Sequence, residues 1–245
     1  TATSLIDPER NLWWCNLEGG EGNALYALDL GLGKVVHQTE DGVVEFNRAI
    51  ALGKDGSIYF NGKDGTFNRL DPKTGKTFFC GITIPGESPG IRSATRMSTN
   101  GIFYGSTHKT NQLYAISPKR KTIDILGPTW GTGSYTTVML LSADERFLYY
   151  LPGSHGKAWK YGTPVMQYDL KRKKRKVLAF LGPALEEQIG YVPGGTYGVK
   201  LSKDGSTLYV NFNGHPRDDV RPPKLTPIGF GLNAFAAIHI PKSER

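Results

Sequence analysis

The sequence has few cysteines and no long apolar run. Cys15 and Cys80 are the only cysteines among 245 residues, which excludes a disulfide-rich scaffold. They fall in different repeats and at different strand positions, so we expect two buried thiols rather than a bridge. No apolar stretch approaches the length of a membrane-spanning helix. No N-terminal signal-peptide pattern and no Asn-x-Ser/Thr sequon is present. The sequence leaves the compartment open, with a periplasmic or extracellular location favoured.

Acidic residues are outnumbered by basic ones. The chain has 30 Lys and Arg against 22 Asp and Glu, a net charge of +8. Such a balance favours anionic partners, namely an acidic polysaccharide, nucleic acid or a membrane surface. Glycine and proline are abundant, with 31 and 15 residues, as expected of a protein built from short strands and turns.

One sequence pattern repeats along the chain: an apolar run, a polar turn, an aromatic strand, a second turn and another strand. The first apolar residue of each aromatic strand is Leu12, Ile58, Ile102, Leu148 and Leu208, at intervals of 46, 44, 46 and 60 residues. This period, with Asp-Gly hairpin turns, predicts an all-β fold, a β-propeller of four-stranded antiparallel blades. We expect a single domain over 1–245 with blades at about 1–44, 45–88, 89–130, 131–184 and 185–245.

The fifth repeat lacks a full outer strand, because residues 241–245 are short and polar. We therefore interpret the five repeats as the C-terminal part of a larger ring, which missing blades or a partner chain would close; a small five-bladed ring with an incomplete last sheet is the alternative. Alternating strand order places the B–C and D–A connections on one face. The long loops predicted there, 154–163, 182–195 and 214–232, favour this face as the functional one.

Three histidines occupy nearly equivalent places, where the second strand of a repeat enters its long loop. They are His108, His155 and His215. Equivalent positions of neighbouring blades surround a common axis, so we predict that the three imidazoles converge. Imidazole binds transition metals and transfers protons near neutral pH. The sequence allows three interpretations of these histidines. They bind a divalent metal (Mn, Zn or Ca), they act in catalysis without a metal, or they are structural. His37 and His239 lie on predicted strands and are expected to be structural.

Cations and aromatic residues surround these histidines. Guanidinium and ammonium groups pair with carboxylate or sulfate, while an aromatic ring can stack on a sugar. We expect an anionic polysaccharide or oligosaccharide here and favour it over nucleic acid. The candidate substrate-binding residues are Lys109, Asn111, Trp130, Lys157, Trp159 and Arg221.

Two basic runs and one acidic pair have simpler interpretations. Residues 171–176 and 119–121 fall at equivalent hairpins of two repeats, on the opposite face. We interpret both as solvated turns, with anion docking as the alternative. Asp218 and Asp219 could bind a cation, but we expect Arg217 and Arg221 to neutralise them.

The second repeat carries a resemblance to known propellers. Gly-Ser-Ile-Tyr-Phe at 56–60, Asn-Arg-Leu-Asp-Pro at 68–72 and Thr-Gly-Lys at 74–76 resemble the repeats of YVTN and gluconolactonase-like propellers. They are also similar to those of streptogramin lyase. The resemblance implies a propeller fold. Streptogramin lyase and some polysaccharide lyases with this fold use histidines on one face, and several of these enzymes also use a divalent metal. The resemblance therefore implies that histidines on one face of this chain can serve a lyase. No catalytic motif matches residue by residue.

The leading functional hypothesis is a polysaccharide lyase acting by β-elimination. His155 or His215 would remove the proton α to a uronate carboxylate. Arg217 or a metal would stabilise the resulting charge, and Tyr161 or Tyr197 would protonate the leaving oxygen. A non-catalytic propeller that binds glycan or protein is the main alternative, and a lactonase-like hydrolase is the second.

Overall fold

The computed structural model describes residues 4–19, 22–45, 49–86, 90–107, 110–131, 136–153, 158–219 and 231–245. Strands dominate, and each sheet is antiparallel with its strands in chain order. Four sheets have four strands and one has three. The predicted all-β propeller class with four-stranded blades is thus confirmed. The chain divides into two compact units, Thr1–Gly127 and Pro128–Arg245.

The first unit contains three sheets, each a meander of four strands. Their bounds are β1 Ser4–Asp7, β2 Leu12–Gly19, β3 Gly22–Asp29 and β4 Lys34–Gln38; β5 Ile50–Leu52, β6 Ile58–Asn61, β7 Thr66–Leu70 and β8 Thr77–Thr83; and β9 Ile91–Ala94, β10 Phe103–Thr107, β11 Gln112–Ser117 and β12 Thr122–Pro128. The cores hold fully buried aromatic residues, among them Trp14, Phe60 and Phe103.

The second unit contains two sheets and the one α-helix of the described residues. The strands are β13 Thr136–Leu141, β14 Phe147–Pro152, β15 Pro164–Asp169 and β16 Lys174–Phe180, then β17 Tyr191–Leu201, β18 Thr207–Pro216 and β19 Leu232–His239; the helix α1 is Leu181–Ile189. One face of the three-stranded sheet is buried, through Leu208, Val210 and Phe212, in a core shared with Tyr149 and Leu151 of β14. No fourth strand follows β19 within the described residues, as the short polar segment 241–245 predicted.

Aspartate fixes the hairpin turns that precede the aromatic strands. The Asp55 carboxylate accepts hydrogen bonds from Ser57 N at 3.0 Å and Ser57 Oγ at 2.9 Å. Asp204 accepts the same pair from Ser206. The glycine after each aspartate has a positive φ, +78° at Gly56 and +72° at Gly205, a region that glycine enters without steric cost. These contacts explain why the Asp-Gly signal predicted the turns correctly.

The segment 182–195 was predicted as a loop, and this was wrong. The structure has helix α1 there, followed directly by β17. Pro183 lies in the first turn, where its missing N–H costs nothing, and Leu, Glu and Gln residues favour helix. Gly190 ends the helix in the left-handed conformation, with its N–H bonded to the Glu186 carbonyl.

None of the described helices is both long and apolar enough to cross a membrane.

Candidate functional site

The described residues include only part of the predicted histidine site. His108, Lys109, His155, Lys157 and Arg221 lie outside them. The side chain of Trp159 also lies outside, although its backbone belongs to the 3-10 helix Ala158–Tyr161. The predicted convergence of three imidazoles therefore stays a prediction. Within the described parts of the chain, no group of three or more His, Cys, Asp or Glu side chains is arranged to hold a metal ion.

His215 lies at the end of β18, opposite Val192 of β17. Its Nδ1 is 2.9 Å from the carbonyl oxygen of Pro216. A carbonyl oxygen only accepts, so Nδ1 carries a proton, and in the neutral form of the ring the lone pair is on Nε2. His215 therefore has the tautomer that a general base or a metal ligand needs.

Two β-bulges distort β17 beside His215. The register with β18 shifts between Pro193 and Gly195, and again between Thr196 and Gly198. Bulges re-aim side chains and are common next to functional sites. They bring Tyr197 close to the backbone at Gly195, where an added Cβ would lie 3.5 Å from the Tyr197 hydroxyl. The side chain of Tyr197 is 37% exposed.

Buried polar atoms lacking a partner are found at the same place. Thr196 Oγ1 and Asn213 Oδ1 are buried and make no hydrogen bond with the described residues. Such atoms usually bind ordered water or a ligand. We call Thr196, Tyr197, Asn213 and His215 the hairpin end. Tyr191, the first residue of β17, lies beside the hairpin end. The Tyr191 hydroxyl donates a hydrogen bond to the Leu232 carbonyl at 3.0 Å, and burial raises the pKa of this hydroxyl to about 12.

Arg217 follows the hairpin end but is already paired. Its Nε and Nη2 donate to the two carboxylate oxygens of Asp219 at 2.5 and 2.7 Å, and its Nη1 donates to the Glu186 carbonyl at 3.3 Å. The neutralisation of Asp219 by Arg217 is confirmed. A guanidinium held in this way must exchange partners before it can stabilise a substrate charge.

The remaining candidates are placed separately. Trp130 packs edge-to-face on Phe180, with ring centroids 6.3 Å apart. Tyr161 ends its 3-10 helix and is 36% exposed. Both belong to the second unit. Asn111 belongs to the first unit, where it is buried at a turn with a positive φ of 54°.

The first unit has a second candidate surface, which we call the cationic cleft. It has a volume of about 550 Å³ and is lined by Lys54, Arg69, Lys119 and Lys121, with Asp55 as the one carboxylate among the described residues. Lys54 Nζ donates to the Thr99 carbonyl at 2.6 Å. Lys119 and Lys121 make no ion pair with the described residues. The cleft is therefore a concave surface with an excess of positive charge.

The cleft wall is aromatic. Phe78 and Phe79 of β8 line it and are 44% and 59% exposed, while Tyr59, which also lines it, is buried. The Arg69 guanidinium lies 5.3 Å from the centroid of the Phe78 ring, a cation–π distance. Burial raises the pKa of the Cys80 thiol to about 11, so this residue stays neutral and adds no negative charge.

Asp55 only partly offsets the cations. Its carboxylate lies 3.7 Å from Arg69 Nη1. Partial burial acts to raise its pKa, but hydrogen bonds from Ser57 and the charge of Arg69 lower the pKa overall. The carboxylate is thus ionised at neutral pH and compensates one cation.

The cleft was not predicted from the sequence. Residues 119–121 were predicted to form a solvated turn, with anion docking as the alternative. Lys119 and Lys121 in fact share the cleft with the aromatic side chains of β8. The available signal was the pair of adjacent phenylalanines in an outer strand, since two large exposed apolar side chains call for an explanation.

Comparison with known proteins identifies the fold alone. No protein-family model and no curated protein sequence matches the chain. Among solved structures it is similar to Kuenenia stuttgartiensis hydrazine synthase, with a TM-score of 0.67 and 13% identity over 98% of this chain and 63% of the other. It is also similar to the β-propeller domain of Myceliophteria thermophila Cps50 (Swd1), with a TM-score of 0.59 and 10% identity over 93% and 68%.

Identities this low support a common fold and no common activity. The β-propeller fold is shown, and the narrower resemblance to YVTN and gluconolactonase-like propellers stays a prediction. The chain spans less than two thirds of the hydrazine synthase chain.

Proposed function

We propose that this chain is a non-catalytic β-propeller module that binds an anionic oligosaccharide in the cationic cleft. The observation that carries the proposal is the excess of cations, Lys54, Arg69, Lys119 and Lys121 against Asp55, beside exposed aromatic rings. Ammonium and guanidinium groups pair with uronate carboxylates or sulfates. The faces of Phe78 and Phe79 offer apolar surface to a sugar ring. A volume of about 550 Å³ fits a ligand of a few sugar units.

Reversing two cleft charges should weaken binding about tenfold. Lys119→Glu combined with Lys121→Glu replaces two attractions by two repulsions, which we expect to cost about 1.4 kcal/mol at these solvent-exposed positions. The measurement is calorimetric titration with a galacturonate hexasaccharide at low ionic strength. Affinity of the natural sequence should fall as salt is added, because salt screens exposed charges.

A matched control separates the cleft from net charge. Lys171→Glu with Lys173→Glu makes the same change in charge on exposed lysines of the β15–β16 hairpin. These positions line no part of the cleft, so the affinity should change little. Equal loss in both double variants would show that binding follows net charge alone, and the proposed site would then be wrong.

A second candidate function is β-elimination at the hairpin end. It is favoured by the presence there of an imidazole whose Nδ1 donates to a backbone carbonyl, at His215, and of a tyrosine hydroxyl, at Tyr197. In this proposal His215 accepts the proton α to a uronate carboxylate, and Tyr197 protonates the leaving oxygen. We propose the predicted divalent metal, with His108 and His155 as further ligands, as part of this candidate only.

The lyase candidate predicts a large loss of activity in two variants. His215→Gln and Tyr197→Phe should each lower the rate of unsaturated uronate formation by a factor of about 10² or more, since each removes a proton-transfer group. The rate is followed by ultraviolet absorbance on polygalacturonate. His239→Gln on β19 is the control and should keep the full rate. An absence of product with the natural sequence, with and without added Mn²⁺, Zn²⁺ or Ca²⁺, would exclude this candidate for polygalacturonate.

A further inference from the structure

Strand β19 has the position of an inner strand but the exposure of an outer one. It is third in its sheet. No residue in the third strands of the other sheets is exposed, and every residue of β15 is buried. Residues of β19 alternate instead between exposed and half-buried. In the other four sheets a fourth strand covers the third strand; here, within the described residues, nothing pairs with that edge.

The residues that follow β19 do not supply the fourth strand. After Ile240 the backbone turns at Pro241 into the 3-10 helix Lys242–Glu244. That helix is bound to the neighbouring sheet, because Tyr149 Oη and Gln167 Nε2 both donate to the Glu244 carbonyl at 2.7 Å. Among the described residues, no strand therefore pairs with the outer edge of β19.

The register identifies the backbone groups on this open edge. Ile240 N donates to Ser206 O at 2.8 Å, so residues 240 and 206 form a hydrogen-bonded pair. Antiparallel pairs alternate between bonded and non-bonded, and no bulge interrupts the β18–β19 ladder. Residues 238, 236 and 234 therefore bond to β18. The N–H and C=O groups of Asn233, Phe235, Ala237 and His239 point to the open edge.

The edge lacks the features that usually prevent pairing. Proteins protect exposed edges with charged residues, proline, bulges or short strands. Strand β16 begins with three cations, at 174–176, and β12 carries Asp124. Strand β19 is eight residues long, unbulged and without a charged or proline residue. Its Phe235 is 67% exposed and stacks on Tyr209, with centroids 5.8 Å apart.

We propose that the open edge of β19 pairs antiparallel with β19 of a second copy of this chain. A two-fold axis through Ala236 places Phe235 opposite Ala237 of the second copy and Asn233 opposite His239. This register matches all the free edge groups and keeps the aromatic side chains on one face. The uncharged strand favours a second copy as the occupant, because self-pairing here brings no like charges together.

Association of this kind should be weak and should increase with salt. A single strand pair buries less surface than a standard interface, so we expect a dissociation constant on the order of 10 μM. Each copy carries a net charge of +8. Salt screens the resulting repulsion between copies, which distinguishes this association from the salt-weakened binding expected in the cationic cleft.

The test is the molar mass in solution at increasing concentration. Sedimentation equilibrium of the natural sequence should show a mass rising from 26.9 kDa toward twice that value. Ala237→Pro removes an N–H that points to the open edge and leaves the ladder to β18 intact, so this variant should stay monomeric. Ala237→Ser keeps the N–H and should dimerise like the natural sequence.

Phe235→Lys provides a second variant that leaves the backbone unchanged. It puts a like charge beside the two-fold axis and should also stay monomeric. Circular dichroism spectra should be the same for all forms. A natural sequence that stays monomeric up to a few hundred micromolar would overturn the proposal, and so would a dimer that Ala237→Pro and Phe235→Lys leave unchanged. If a peptide with the sequence of β16 bound to the monomer, the edge would be assigned to a strand other than β19 of a second copy.

Discussion

Replacing Trp14 by alanine should lower the free energy of unfolding of the first unit by about 4 kcal/mol. The indole is fully buried and packs in a core with Leu25 and Phe60. It also stacks on His37 of β4, with ring centroids 5.8 Å apart. Removing it forfeits the burial of a large apolar side chain and leaves a cavity. Urea denaturation followed by far-ultraviolet circular dichroism measures the change.

Trp14→Phe is the matched control, and we expect it to cost about 1 kcal/mol. Phenylalanine keeps most of the ring volume. It also removes the indole N–H, which is buried and has no acceptor among the described residues. The loss of that polar group offsets part of the lost packing. If Trp14→Ala cost no more than Trp14→Phe, Trp14 would not be a core residue and the first-sheet packing described above would be wrong.

The sequence predicted the strands that depend on local signals. Strand β6, at Ile58–Asn61, has the bounds expected from the pattern between two Asp-Gly turns. The anchors Ile58, Leu148 and Leu208, each the first apolar residue of an aromatic strand, are fully buried. The anchor Ile102 instead precedes β10 and is only half-buried. Hairpin turns and period-2 burial are encoded within about ten residues, which explains why a single sequence reveals them.

Features that depend on distant residues were not predictable in this way. Helix α1 lies where glycines and a proline suggested a loop, and its position depends on packing of Leu181 and Leu185 in the second-unit core. The cationic cleft combines residues from four hairpins that are separate in sequence. The bulges in β17 have no reliable signature in one sequence, yet they determine where Tyr197 lies. Cations beside aromatic residues were thus expected of a binding site, but not at the hairpins that form the cationic cleft.

Replacing Gly214 by alanine should destabilise the second unit by about 3 kcal/mol. A Cβ at this position would lie 2.1 Å from the carbonyl oxygen of Val192 and 2.9 Å from the backbone nitrogen of Gly194. Both obstacles are backbone atoms of β17, so relief requires the two strands to separate rather than a side chain to rotate. Thermal or urea unfolding of the variant measures the loss.

Gly198→Ala is the matched control on the same strand pair. Its added Cβ would meet only the Cβ of Asn211, at 3.6 Å, an ordinary van der Waals distance. We expect a change within about 0.5 kcal/mol. The contrast also tests the hairpin end, because the close approach of β17 and β18 at Gly214 positions His215 beside Val192. If Gly214→Ala were as stable as Gly198→Ala, the strands would be farther apart there. The placement of His215 opposite Val192, on which its proposed role as a base depends, would then be wrong.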